Sequence, residues 1–212
     1  MIVGAGNIHV KICGNTNPVN IEAMAALGPD IMGFIFYEGS IRNVNVEQVK
    51  PIVKAIRHIH KTGVFVNALP EYIIKVVREM ELDSVQLHGH EDPYYCATLK
   101  ENVPVIKALD GAGAYLEKVV ELYKGCVDFY LIDTMGKNYG GSGVKFNHER
   151  LKNINFHHPF FVAGGLNATD AERVRMLKSI PGFYGIDINS QFESQPGIKD
   201  IEKVKLFLNQ IR

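Results

Sequence analysis

The chain alternates short apolar runs with longer stretches in which apolar residues recur three and four positions apart. Short apolar runs bounded by turn residues read as strands, and the longer periodic stretches read as amphipathic helices. Strands are therefore expected over residues 9–13, 31–36, 62–66, 84–88, 103–108, 129–133, 160–163 and 184–188. Asn17, with Pro18 behind it, reads as the cap of the first helix, which Gly28-Pro29 stops. Further helices are expected over 47–59, 72–79, 92–99, 114–123, 169–177 and 201–211, with only a short segment at 148–151. Pro51 is tolerable in the second of these only because it falls near the first turn.

Eight strand–helix units imply a parallel sheet, because parallel neighbours need crossover connections. The second strand is wholly non-polar, which fits a sheet covered on both faces. The expected fold is α/β, a single-domain (β/α)8 TIM barrel over residues 1–212. At about 26 residues per unit, a second domain has no space. An open doubly wound sheet is the rival, but Gly4-Ala5-Gly6 lacks the third fingerprint glycine and precedes the first strand.

Charge and composition narrow the function. Lys+Arg and Asp+Glu each number 23, so net charge is zero, which argues against nucleic acid or an anionic membrane as partner. No apolar run is long enough to span a bilayer, and residues 1–7 lack the order of a secretory signal. Three cysteines, Cys13, Cys96 and Cys126, are too few for a disulfide framework and fit a reducing cytoplasm.

A barrel of this kind carries its chemistry at the carboxyl ends of the strands. Cys13 closes the first strand, Gln86 and His88 the fourth and Asp133 the sixth, and Asp187 lies near the end of the eighth. Alternation turns Lys11 and Cys13 one way and Val10 and Ile12 the other; Gln86 and His88 part from Val85 and Leu87 in the same manner. Cys13 alone reads more readily as a small buried hydrophobe, and Asp133 alone as a strand-end cap. Their convergence on one mouth favours chemistry. Ala163-Gly164-Gly165-Leu166 and Asn189-Ser190 follow strands seven and eight, where such barrels bind phosphate through backbone N–H groups.

Other segments carry less. Gly140-Gly141-Ser142-Gly143 reads as a lid or as a plain loop. His88-Gly89-His90-Glu91 does not read as a metal site, because only His88 stays on the inward strand face. His157-His158 falls at the amino end of a strand, where polar residues serve stability.

Taken in order, the motifs resemble a known family over nearly the whole length. They are Lys11-Ile12-Cys13-Gly14 with Thr16, Ser40-Ile41-Arg42, Gly63-Val64-Phe65-Val66-Asn67 and Gln86-Leu87-His88-Gly89 with Glu91. Leu131-Ile132-Asp133, Gly140-Gly141-Ser142-Gly143, Ala163-Gly164-Gly165-Leu166, Pro196-Gly197 and Lys199-Asp200 complete the series. The chain resembles the phosphoribosylanthranilate isomerases of tryptophan biosynthesis. That resemblance implies an Amadori rearrangement of a phosphorylated aldosylamine to an aminoketose, with no cofactor and no metal. It implies Cys13 as general base, Asp133 as general acid and Arg42 on the anthranilate carboxylate. Gln86, His88 and Asp187 would line the substrate pocket, and backbone at Gly164, Gly165 and Ser190 would hold the phosphate. The implied assembly is a monomer or homodimer.

Lys11 is expected to favour the thiolate of Cys13, and burial to raise the Asp133 pKa. Gln191 and Phe192 stand where the family has glycine and valine, so a side chain at 191 is expected to restrict backbone approach. Asn15 replaces a usual apolar residue. A neighbouring phosphate barrel, an indole-glycerol-phosphate synthase or a sugar-phosphate epimerase, is the alternative enzyme, with Lys107 as a possible catalytic lysine. A phosphometabolite-binding protein is the non-enzymatic one; the joint presence of Cys13, Asp133 and Arg42 speaks against it.

Overall fold

The computed structural model describes residues 7–134 and 148–212. The Gly4-Ala5-Gly6 and Gly140–143 segments lie outside the described residues. Eight strands close into a parallel barrel in sequence order. They are β1 (His9–Ile12), β2 (Ile31–Ile35), β3 (His60–Phe65), β4 (Ser84–Leu87), β5 (Val105–Asp110), β6 (Phe129–Asp133), β7 (Phe160–Val162) and β8 (Phe183–Ile188). Outside them pack α1 (Pro18–Ala26), α2 (Val46–Ala55), α3 (Pro70–Met80), α4 (Pro93–Lys100), α5 (Leu116–Leu122), α6 (Ala171–Met176) and α7 (Ile201–Ile211). A 3-10 helix at His148–Asn153 stands in the crossover before β7.

The helix starts follow capping chemistry. Side chains of Asn17, Asn45, Asp92 and Asp200 accept backbone N–H groups from the first turns of α1, α2, α4 and α7. Proline occupies the opening turn of α1, α3 and α4, where its missing N–H costs nothing.

The strand faces separate as alternation requires. Val10, Ile12, Val85 and Leu87 join the layer between sheet and helices. A second, smaller cluster fills the barrel itself: Ile31, Ile106, Ala108, Leu131, Phe161 and Ala163, backed by Phe129 and Tyr184. At the amino end, Asp30, Asp83 and Asp128 accept the backbone N–H of Val10, Lys61 and Val105. Each aspartate directly precedes or opens an even-numbered strand, so this end is built for closure and the opposite end is left for function.

Several bounds differ from expectation for physical reasons. The fifth strand is displaced toward the carboxyl end. Pro104 has no N–H to give the ladder, and the strand runs on to Asp110, which pairs with Asp133. The second helix stops at Ala55, and the chain is extended again at Ile56. The third strand starts early because His60 pairs with Ile31. Pro51 lies in the middle of α2, not near its first turn, on an exposed face where the lost hydrogen bond leaves the Glu47 carbonyl to solvent. A small antiparallel hairpin, β9 (Glu193–Gln195) and β10 (Ile198–Lys199), follows β8 and was not foreseen.

Candidate active site

All nine residues singled out in the sequence line one cavity at the carboxyl mouth: Cys13, Arg42, Gln86, His88, Asp133, Gly164, Gly165, Asp187 and Ser190. Cys13 sits one position past β1, where its N–H donates to the Ile188 carbonyl at 2.9 Å. One layer deeper, barrel closure pairs Lys11 with Asp187 in register. The Lys11 Nζ donates to Asp187 Oδ2 at 2.8 Å, and the lysine is fully buried. Gly33 makes this packing possible, since a Cβ there would lie 2.8 Å from Cys13 Sγ and 3.0 Å from Lys11 Nζ.

Burial alone would lower the Lys11 pKa, but Asp187 and Cys13 outweigh it and keep the ammonium protonated. Burial pushes the Cys13 thiol above its ordinary value, against the pull of Lys11. Lys11 thus favours the thiolate, as expected, yet desolvation wins. Burial also raises Asp187, with Lys11 opposing.

Across the mouth, Asp133 ends β6 almost fully buried. Burial, and then the charge of Asp187, push its carboxyl up to about 7. His88 is driven the other way, down to about 4, by burial and by Lys107 and Lys11. It is neutral at physiological pH. The Gln86 amide lies 2.8 Å from His88 Nδ1; donation to that nitrogen leaves the proton on Nε2, which faces Asp133 Oδ2 at 3.6 Å. Gln86 Oε1, Asp133 Oδ1 and Asp187 Oδ1 have no partner among the described residues. Three open acceptors in one cavity are where a polar ligand would bind, because buried polar atoms are otherwise paired.

Gly164 and Gly165 follow β7 with φ of 83° and 64°, in the left-handed region. A Cβ on Gly164 would come within 2.4 Å of Thr134 Oγ1. Ser190 opens a one-turn 3-10 helix that ends at Phe192. Gln191 has no positive φ, so its backbone does not require glycine, and this exposed residue lines the same cavity as Ser190. Phe192 turns away from the cavity and packs on Phe207 of α7, ring centroids 4.9 Å apart. Asn15 is buried and donates to the Ile12 and Gly33 carbonyls at 2.7 and 3.0 Å, tying the tops of β1 and β2.

Lys107 is not a catalytic lysine. It points out of the barrel, where its ammonium donates to Glu91 and to the Leu87 and Gly89 carbonyls. Glu91 also accepts from the Asn67 and Gly89 N–H groups, so it diverges from His88 while His90 is exposed. Sequence reasoning missed the partners of Arg42. Glu193 grips its Nε and Nη2, and the buried Lys199 grips Glu193. These residues lie 151 positions apart, and only the motif match at Glu193 hinted at a role.

A closed parallel barrel with a thiol and a carboxyl of raised pKa in one mouth, beside glycine-rich turns after β7 and β8, has the architecture of a (β/α)8-barrel enzyme. A family model described as N-(5'-phosphoribosyl)anthranilate (PRA) isomerase matches residues 10–210. The N-(5'-phosphoribosyl)anthranilate isomerase of Parabacteroides distasonis is 40% identical, over 95% of this chain and 92% of that protein. The crystal structure of phosphoribosyl anthranilate isomerase from Thermus thermophilus superimposes with a TM-score of 0.84 at 28% identity, covering 96% of this chain and 98% of that one. A second isomerase structure, in complex with reduced 1-(o-carboxyphenylamino)-1-deoxyribulose 5-phosphate, matches with a TM-score of 0.79 at 28% identity and the same coverage. The chain belongs to the N-(5'-phosphoribosyl)anthranilate isomerase family and is an isomerase of tryptophan biosynthesis. No helix of the described residues is long and apolar enough to cross a membrane.

Proposed function

We propose that the chain rearranges N-(5-phosphoribosyl)anthranilate to 1-(2-carboxyphenylamino)-1-deoxyribulose 5-phosphate, with Asp133 as general acid and Cys13 as general base. Asp133 gives its proton to the furanose ring oxygen as the C1–O bond breaks, leaving a Schiff base at C1. The Cys13 thiolate then removes the C2 proton, and the electron pair forms the C1–C2 double bond of an enolamine. Protonation at C1 and loss of the C2 hydroxyl proton yield the ketone. Arg42 meets the anthranilate carboxylate, a planar partner suited to guanidinium. Gln86, His88 and Asp187 face the sugar, and N–H groups at Gly164, Gly165 and Ser190 hold the phosphate. A cytoplasmic setting fits three cysteines that are all free thiols, and the assembly in this reading is a monomer or a homodimer.

The observation that carries this reading is the open Oδ1 of Asp133, on a carboxyl held near neutrality in the cavity of Cys13. A general acid must hold its proton at working pH, and an ordinary aspartate does not. The acid then titrates below the base, so the active form pairs a thiolate with a protonated carboxyl. Its population rises with pH to about 7, the value of Asp133, levels off, and falls only above the ordinary thiol range.

Cys13→Ala and Asp133→Asn should each lower kcat by about 100-fold or more. Substrate generated in situ and followed by loss of its anthranilate fluorescence gives the rate. Near-normal turnover in either variant removes that residue from the mechanism.

A further inference from the structure

The arginine proposed to meet the carboxylate is not free to choose its orientation. Glu193 takes one edge of the Arg42 guanidinium, accepting from Nε at 2.9 Å and from Nη2 at 2.7 Å. Nη1 has no partner among the described residues and lies in the same plane, on the edge turned away from Glu193. Glu193 is in turn held by Lys199 Nζ at 2.6 Å and by the Gly197 N–H at 3.2 Å. The same ammonium donates to Asn189 Oδ1 at 2.7 Å, immediately before Ser190. Lys199 and Glu193 side chains are 0% and 4% exposed, so solvent does not weaken this chain of contacts.

The cluster is tied to β1 and α1 as well. Thr16 Oγ1 donates to the Gly197 carbonyl, and Asn20 exchanges two hydrogen bonds with the backbone of Lys199. A Cβ on Gly14 would come within 2.9 Å of Arg42 Cδ and 2.6 Å of Asn189 Oδ1, so both side chains close over the residue that follows Cys13. Two cations surround one carboxylate, which leaves one net positive charge. Without Lys199 the Arg42–Glu193 pair would be neutral overall and a poor host for an anion. Burial alone would raise the Glu193 pKa, but the hydrogen bonds from Arg42 and Lys199 win and keep it ionised.

We infer that Glu193 and Lys199 are positioning residues that present one free edge of Arg42 to the mouth and thereby set selectivity for a carboxylate on the arylamine of the substrate. Lys199 links that grip to the loop of Ser190, so one buried strut spaces the two anionic ends of the substrate. The inference rests on the reading of Arg42 as the carboxylate ligand.

The test compares two ligands by equilibrium titration: reduced 1-(o-carboxyphenylamino)-1-deoxyribulose 5-phosphate and its anilino counterpart lacking the carboxylate. Inorganic phosphate serves as the third probe. Glu193→Gln should reduce the preference for the carboxylated ligand by about tenfold, while phosphate affinity stays within about twofold. Glu193→Asp keeps the charge but withdraws it by one methylene; it should lose the same preference by about threefold, and it serves if the glutamine variant does not fold. An unchanged preference in the folded variant, or parallel weakening of all three ligands, overturns the positioning role. Arg42→Ala separates the two readings: a preference that survives it refutes Arg42 as the carboxylate ligand. A preference lost in Arg42→Ala but kept in both Glu193 variants refutes the strut alone.

Discussion

Two buried lysine–carboxylate pairs lie on different sides of the barrel sheet, one at β4 and β5 and one at β1 and β8, and serve different purposes. Lys107–Glu91 lies outside the sheet at 2.9 Å, and Lys11–Asp187 lies inside it at 2.8 Å. Glu91 is saturated by Lys107 and by the N–H groups of Asn67 and Gly89. Burial alone would raise it, but these donors hold it below the ordinary glutamate value. Asp187 accepts from Lys11 on one oxygen and leaves the other open to the cavity, and burial raises it. Two similarly buried lysine–carboxylate pairs therefore do different things. A saturated pair fixes a loop, here the turn that carries His88. A pair with one open acceptor keeps a site for a ligand.

Breaking each pair separates the two roles. The largest expected effect is on Lys107→Met, which removes the charge partner of the buried Glu91 and costs about 3–5 kcal/mol, read from urea denaturation. Lys11→Met should cost clearly less, because Asp187 can take up a proton. A second contrast uses Asp133, which titrates at about 7 in the fold against an ordinary 3.8. Its ionisation opposes folding, absent below 3.8 and fully developed above about 7. Asp133→Asn should therefore gain stability relative to the native chain as pH rises through that window, by at most roughly 4 kcal/mol. An inactive variant that is the more stable one at high pH would show that the site is held at the expense of the fold.

Smaller effects sharpen the comparison. Lys11→Met should move the basic limb of the pH–rate profile to higher pH, because Lys11 draws the Cys13 pKa down. Lys107→Met should leave that limb in place. Glu91, with its pKa depressed, stabilises the fold above its ordinary 4.5 and loses that contribution as pH falls through its folded value. Acid unfolding of Glu91→Gln should accordingly depend less steeply on pH than that of the native chain.

Much of this was legible in the chain itself. Apolar runs marked all eight strands, and alternation within them placed Lys11, Cys13, Gln86 and His88 on the inner face. Local signals failed where an apolar residue served a loop, as at Val103-Pro104, or where polar residues built a strand, as in Glu193–Gln195. Pairings across the barrel could not be read locally. Lys11 meets Asp187 only because β8 closes on β1, 176 positions away, and Arg42 meets Glu193 through the same closure. The reversed pKa order of acid and base likewise depends on burial, which residue spacing does not report.

The proposed chemistry turns on Asp133 keeping its proton up to the neutral range in the cavity it shares with Cys13. Carbon-13 NMR of the labelled aspartate carboxyls, with Asp133→Asn identifying the resonance, measures this directly. The carboxyl should titrate near 7. A resonance that titrates near the ordinary 3.8, ionised throughout the neutral range, would contradict its role as the acid.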